Sequence, residues 1–406
     1  MRPRWSRAAF LAGAGAALAA PRRARAAAPR IALGDDVFVR DAWRELRGRT
    51  LGIITNPSGV LSSGESVVDA VVRAGNLRVK ALFGPEHGIR GTTGAGEHVA
   101  SAVDARTGLP VYSLYGATRR PTAAMLDGID VLVFDIQDVG ARPYTYVSTM
   151  AYVMQAAAAA GKDVWVLDRP NPVGGRLIDG PVLEPRFASF IGLYPIPERH
   201  GMTVGELARL FNEQFGIGCK LRVVAMEGWS REMLWAQTGL AWVPTSPNMP
   251  YARTTLVYLA TGLVEDGGVN NGVGTDRPFE YAGGAGFDPA ALRDTLAARA
   301  IPGIEFEPAE WSPARGYWAG QTLRGVTLNV TEPHVFPSVR TAVEILCAAR
   351  AQGKYAVAGA AGMDRDWGTD AVRLSLAAGA SPDTIVAAWE PRLHAFRALR
   401  ERYLLY

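Results

Sequence analysis

The chain has 406 residues, 48% of them apolar, which is enough for two hydrophobic cores, and its 45 glycines and 26 prolines are ordinary for a loop-rich α/β protein. The formal charge of +4 is set by the leader, because Arg2, Arg4, Arg7, Arg22, Arg23 and Arg25 precede residue 26 and removing those six from +4 leaves −2. That balance argues against a nucleic-acid partner, and the two cysteines, Cys219 and Cys347, permit a disulfide without indicating one.

Residues 1–28 have the parts of a secretory signal: an arginine-containing start, an apolar stretch from Ala8 to Ala20, and small-residue cleavage options at Ala24-Arg25-Ala26 or Ala26-Ala27-Ala28. Ser6-Arg7-Ala8-Ala9-Phe10-Leu11 is like a twin-arginine signal without its second arginine, so both the general and the twin-arginine route stay open. The apolar stretch is shorter than the ~20 residues that span a bilayer. The mature chain is therefore expected to be exported, periplasmic or secreted, and free of the membrane.

A first domain is expected over 31–245. Val79 to Phe83 reads as a buried strand, stopped by Gly84-Pro85 ahead of Glu86 and His87. Val131 to Phe134 and Val164 to Leu167 end the same way, in Asp135-Ile136-Gln137-Asp138 and in Asp168-Arg169-Pro170-Asn171. Between them the Ala-rich stretch from Tyr144 to Gly161 carries Met150, Val153 and Met154 at helical spacing. A strand–helix–strand unit makes its strands parallel, and open parallel sheets bind ligands beyond the carboxyl ends of their strands. Glu86, Asp135, Gln137, Asp138, Asp168, Arg169 and Asn171 are thus expected on one rim, although any single acid after a strand is as readily a helix cap or turn former.

Trp242-Val243-Pro244-Thr245-Ser246-Pro247-Asn248-Met249-Pro250 is too proline-rich for helix or central strand and reads as an extended connector at a domain boundary. A second domain is expected over 251–406. It begins with a glycine-rich segment, Leu263 to Glu280, whose composition favours a surface loop over a wall facing the first domain. A strand at Val326 to Val330, a helix from Ser338 to Gln352, another opened by Ser381-Pro382-Asp383 and ending at Trp389, and a further one from Pro391 make this a smaller α+β unit. The fold class expected is α/β, a Rossmann-like parallel-sheet domain followed by the α+β domain. No cofactor is expected, because neither G-x-G-x-x-G nor G-x-x-x-x-G-K-[ST] occurs in a cradle context. No metal is expected either: the five histidines form no close pair and no H-E-x-x-H. The nucleophilic-serine contexts G-x-S-x-G and S-x-x-K are also missing, which leaves carboxylate chemistry.

Six ordered runs carry a resemblance: Gly52 to Gly59, Phe83 to Gly88, Ala95-Gly96-Glu97, Asp135 to Arg142, Asp168 to Pro172, and Ser246 to Pro250. Together they resemble the exo-β-N-acetylmuramidase family (NamZ, YbbC-like) over essentially the whole mature chain. The resemblance implies a glycoside hydrolase that releases N-acetylmuramic acid from the non-reducing end of peptidoglycan fragments, so the implied partners are muramyl saccharides. It departs at one loop, where an arginine expected by the resemblance is Val273 and an expected amide is Gly268.

Hydrolysis of a glycoside needs an acid for the leaving oxygen and a second group at the oxocarbenium-like centre. Glu86, backed by an apolar strand, is expected to be the acid. Asp135 or Asp138 is its partner, with the substrate's own acetamido group as the alternative, and His87 orients Glu86, contacts the sugar or is structural. Arg142 and Arg169 are candidates to fork the lactyl carboxylate, and Arg277 to compensate for Val273. Tyr144 is expected to stack on the sugar or pack under its helix. Asn56, Asn248 and Glu265 complete the expected binding set. The competing reading from another class is a periplasmic sugar-binding protein, with two lobes closing on a ligand without turnover.

Overall fold

The apolar runs of the first half assemble into one sheet, described by a computed structural model that covers residues 31–406 apart from positions 92 and 95. The signal segment at 1–28 lies outside the described residues. The strands are β1 (Thr50–Thr55), β2 (Arg78–Gly84), β3 (Ala102–Val103), β4 (Pro110–Ser113), β5 (Val131–Asp135), β6 (Asp163–Leu167), the short antiparallel pair β7 (Asp179–Val182) and β8 (Pro197–Arg199), and β9 (Lys220–Val224). The main sheet runs β3-β4-β2-β1-β5-β6-β9, with every neighbour parallel except β3 against β4. Without the β3 edge this is the doubly wound Rossmann order, and the chain reverses direction across the sheet between β1 and β5.

Every residue of β1 and β5 is buried, as continuous apolar runs require when helices cover both faces. The crossover expected over Tyr144 to Gly161 is the helix Tyr146–Ala160, which buries Met150, Val153 and Met154 and stops at Gly161 in the left-handed conformation.

The second half adds β10 (Tyr281–Gly284), β11 (Ile304–Trp311) and β12 (Leu323–Val330), an antiparallel sheet in the order β10-β12-β11. Two expectations change here. The C-terminal helix is continuous from Pro382 to Arg400 with Pro391 inside it, because burial of Ile385, Trp389, Leu393 and Phe396 along one stripe outweighs the hydrogen bond that proline removes. The glycine-rich segment is no surface loop: Val264, Val269, Asn270, Asn271 and Phe279 are buried, and Asn270 Oδ1 accepts from Gly272 N and Trp311 Nε1.

The halves share one hydrophobic core that runs from Phe83 and Phe134 to Val343, Trp389 and Tyr403. Asp179 Oδ2 accepts from the backbone N–H of Val339 and Arg340, so the first half caps a helix of the second. The last residue returns to the parallel sheet, where the Tyr406 hydroxyl donates to Asp168 Oδ2 and accepts from Met226 N, each at 2.8 Å. Tyr406→Phe leaves the Met226 N–H without that acceptor and is expected to destabilise the fold by about 1–3 kcal/mol. Urea unfolding checks this, and an unchanged midpoint would show that the C-terminal anchor is dispensable.

Candidate active site

β2 ends at Gly84, and Pro85 turns the chain into the loop that carries Glu86. His87 takes a left-handed backbone (φ 69°), uncommon for a residue with a β-carbon. It is held there by burial of its imidazole and by Nδ1–H donating to the Thr93 carbonyl at 2.8 Å. Of the three roles open to His87, its burial and its bond to Thr93 fit the structural one, and its backbone turn sets the position of the residue before it. Glu86 is half-buried. Its Oε1 accepts from Gly96 N at 2.8 Å, and its Oε2 from Thr145 Oγ1 at 2.7 Å, just ahead of the helix Tyr146–Ala160.

Four phenols feel the charge of this carboxylate. Tyr115 follows β4; burial raises its pKa, the Glu86 charge adds to that rise, and Arg119 opposes it. Tyr144 packs edge-on against Tyr146 and Tyr258, with centroids 5.0 and 5.9 Å apart; burial raises all three and the Glu86 charge adds to each, while hydrogen bonds to Thr245 and Ser246 oppose the rise at Tyr144. Tyr144 also shares a 2.6 Å hydrogen bond with Thr245 Oγ1, and Tyr146 donates to the Thr245 carbonyl, which pins the connector over the helix start. Tyr144 thus packs above its helix and is only half-buried.

The other strand-end acids fare differently. Asp135 is fully buried and takes Arg169 Nε on Oδ1 at 2.6 Å, while Arg169 Nη2 donates to the equally buried Asp35 at 2.6 Å. The same guanidinium reaches the Val60 carbonyl at 3.1 and 3.2 Å. The loop crosses here so closely that a β-carbon on Gly59 would lie 2.0 Å from Thr55 Oγ1. Asp135 and Arg169 therefore form a structural ion-pair cluster, not a catalytic partner and a substrate fork. Arg142 is equally consumed. It is 1% exposed, paired with Glu198, and donates to the carbonyls of Pro181, Ile196 and Asp366.

Asp168 accepts from Gly205 N, Thr203 Oγ1 and Tyr406, so it anchors a helix start and the chain end, and burial pushes its pKa up to about 7. Asn171 closes a turn, donating to the Met202 carbonyl and accepting from Val173 N. Neither is placed to bind substrate. Asn248 Oδ1 accepts from Arg315 at 2.9 Å, Glu265 is exposed on a short 3-10 turn, and Arg277 pairs with Glu280 at 2.8 Å. Arg277 lines a separate cavity of about 400 Å³ with Arg253, Trp235 and Leu256, and so does not replace the arginine missing at Val273, which packs against the core.

Besides the ion-paired Asp135, whose Oδ2 is also without a partner, the strand-end residues that keep unused hydrogen-bonding capacity are Asn56, Gln137 and Asp138. Asn56 Nδ2, Gln137 Oε1 and Asp138 Oδ1 are buried without a partner among the described residues, although Asp138 Oδ2 accepts from Gly140 N at 2.7 Å. They follow β1 and β5, on either side of the point where the strand order reverses, where such folds bind ligands. Sequence reasoning had these three; it missed Tyr115, Thr145 and Tyr258.

From the second half, Asp366 contributes a further acid. Its pKa rises to about 6 through burial first and then the neighbouring Asp266 charge, and both Asp366 and Glu86 act on Tyr258. A carboxyl raised in the native state keeps a proton that the unfolded chain releases, so its contribution to stability falls as pH rises from about 4 to about 6. Asp366→Asn is expected to leave the melting temperature unchanged at low pH and raise it above the parent's at neutral pH. Equal shifts at both pH values would contradict the assignment.

The family models described as exo-β-N-acetylmuramidase NamZ, N-terminal and C-terminal, match residues 51–253 and 256–406. Peptidoglycan β-N-acetylmuramidase NamZ of Bacillus subtilis (strain 168) is 43% identical over 380 residues, covering 93% of this chain and 92% of that protein. The chain belongs to the NamZ exo-β-N-acetylmuramidase family. Two crystal structures of DUF1343 family proteins from Bacteroides fragilis share the fold of this NamZ-family chain. One is 35% identical with a TM-score of 0.87, the other 27% identical with a TM-score of 0.73, and each match covers 93% of this chain and 99% of the other.

Proposed function

We propose that this chain is an exo-acting β-N-acetylmuramidase that removes N-acetylmuramic acid from the non-reducing end of peptidoglycan fragments, with Glu86 donating the proton to the leaving oxygen. The observation that carries this reading is the state of Glu86 in a member of a glycosidase family. It is the rim acid left half-open to solvent and outside every ion pair among the described residues, while Asp135 and Asp168 are enclosed. Thr145 and Gly96 fix both carboxyl oxygens, the preorganisation that general acid catalysis needs.

Asp138 is the partner we assign, since its Oδ1 is uncommitted and, unlike Asp135, it pairs with no arginine among the described residues. It serves the oxocarbenium-like centre directly or orients the substrate's acetamido group as the internal nucleophile. Asn56 and Gln137 supply one amide donor and one acceptor to the sugar. Export to the periplasm or medium, where peptidoglycan fragments are met and recycled, is part of this proposal; among the described residues no helix is long and apolar enough to cross a membrane.

A binding protein that closes like a clamshell needs an interface that opens. Here the two halves share a core and the buried Arg142 bridges Glu198 to the Asp366 carbonyl, which weighs against that alternative. The test is product analysis by mass spectrometry after incubation with a saccharide ending in N-acetylmuramic acid. Free N-acetylmuramic acid and a fragment shortened by one sugar are expected; cleavage within the chain or intact substrate would overturn the proposal.

A further inference from the structure

N-acetylmuramic acid differs from N-acetylglucosamine by a lactyl carboxylate, and both arginines expected to fork it, Arg142 and Arg169, are enclosed in ion pairs. A different guanidinium comes from the loop after β4, whose end lies against the end of β2 that leads to Glu86: Gly84 pairs with Ser113, and Leu114 N donates to the Gly84 carbonyl at 2.8 Å. Arg119 is exposed and forms no ion pair among the described residues, and Glu86 and Arg119 act on the same Tyr115 phenol from opposite charge. Its guanidinium carbon lies 4.3 Å from the Phe190 ring centroid and 5.1 Å from that of Tyr115. Those rings are 5.8 Å apart, and Phe190 stacks in turn on Tyr152 at 5.7 Å.

We propose that Arg119, resting on the Tyr115–Phe190 shelf beside Glu86, holds the lactyl carboxylate of N-acetylmuramic acid and sets the preference for muramides over glucosaminides. The assignment rests on the muramidase reading above. Three features make it more than proximity. A guanidinium stacked on aromatic faces loses side-chain freedom yet keeps its N–H edges for a carboxylate, which it matches bidentately. The shelf is fixed, since Phe190 is buried and a β-carbon on Gly116 would lie 2.7 Å from the Val99 carbonyl. The turn that presents Arg119 is closed by its own bonds, with Thr118 Oγ1 accepting from Arg120 N at 3.0 Å and donating to the Arg120 carbonyl at 2.8 Å. Arg120 stacks instead on Tyr152, at 4.2 Å, and supplies a control of the same charge from the same turn.

The test compares the parent chain, Arg119→Ala, Arg119→Lys and Arg120→Ala. Each is measured by calorimetric binding of N-acetylmuramic acid and of N-acetylglucosamine, and by hydrolysis of para-nitrophenyl N-acetyl-β-muramide. Loss of a charge-assisted pair is expected to weaken muramic acid binding and raise KM by about tenfold to a hundredfold in Arg119→Ala. The kcat should change far less, N-acetylglucosamine binding should be unaltered, and Arg119→Lys should recover part of the loss. Arg120→Ala should stay within about threefold, and melting temperatures establish that the exposed substitutions leave the fold intact. Muramic acid binding and KM unchanged in Arg119→Ala, or weakened equally in Arg120→Ala, would overturn the proposal. A parent chain that binds muramic acid through Arg119 but hydrolyses nothing would sink the muramidase reading and leave the carboxylate site standing. A parent that binds neither sugar would end both.

Discussion

Glu86→Gln is expected to lower kcat on a muramyl saccharide by about 10²–10⁴-fold with little change in KM. The amide is isosteric; its carbonyl can still accept from Gly96 N and its NH2 can donate to Thr145 Oγ1, so both contacts that seat the side chain survive without the proton. The loss should depend on the leaving group. A sugar alkoxide needs protonation as the bond breaks, whereas para-nitrophenolate is stable without it, so the deficit on the chromogenic muramide should be much smaller than on the natural linkage. Equal deficits on both substrates would instead mark Glu86 as the group at the anomeric centre, and no deficit would remove it from the chemistry.

The second large effect is on stability. Arg169→Ala leaves Asp35 and Asp135, both fully buried, without the cation they share, and burial already pushes both carboxyls up. Removing one partner of a buried ionic cluster costs about 3–5 kcal/mol, because the remaining charge keeps its desolvation penalty. Soluble yield and the urea midpoint should both fall sharply. Adding Asp35→Asn and Asp135→Asn to Arg169→Ala should restore part of the loss by removing the orphaned charges. An Arg169→Ala variant of parental stability with impaired sugar binding would return Arg169 to the substrate, against the geometry.

The sheet was legible because parallel strands buried on both faces leave continuous apolar runs, and Val131 to Phe134 and Val164 to Leu167 are such runs. Glu86 was legible for a related reason: glycine and proline end its strand abruptly. The roles of the other charged groups were not. Arg142 and Arg169 sit in motifs that look like substrate forks, and only the tertiary structure shows their guanidiniums buried and bonded to Glu198, Asp35, Asp135 and backbone carbonyls, with Arg142 Nε the donor left without a partner. Tyr115 had a signal that went unread, since Val111 to Leu114 followed by Tyr115-Gly116 repeats the strand-then-turn pattern of β2. Tyr258 had none, because its helix meets Tyr144 only through packing of the second half on the first. The interior Pro391 misled for the opposite reason, a strong local breaker overruled by a buried face.

The most direct measurement is the hydrolysis of para-nitrophenyl N-acetyl-β-muramide beside para-nitrophenyl N-acetyl-β-glucosaminide by the purified mature chain. Release from the muramide, with little or none from the glucosaminide, is the result expected of an exo-muramidase whose rim reads the lactyl group. Equal release from both, or muramide binding without any release from a folded protein, would contradict it.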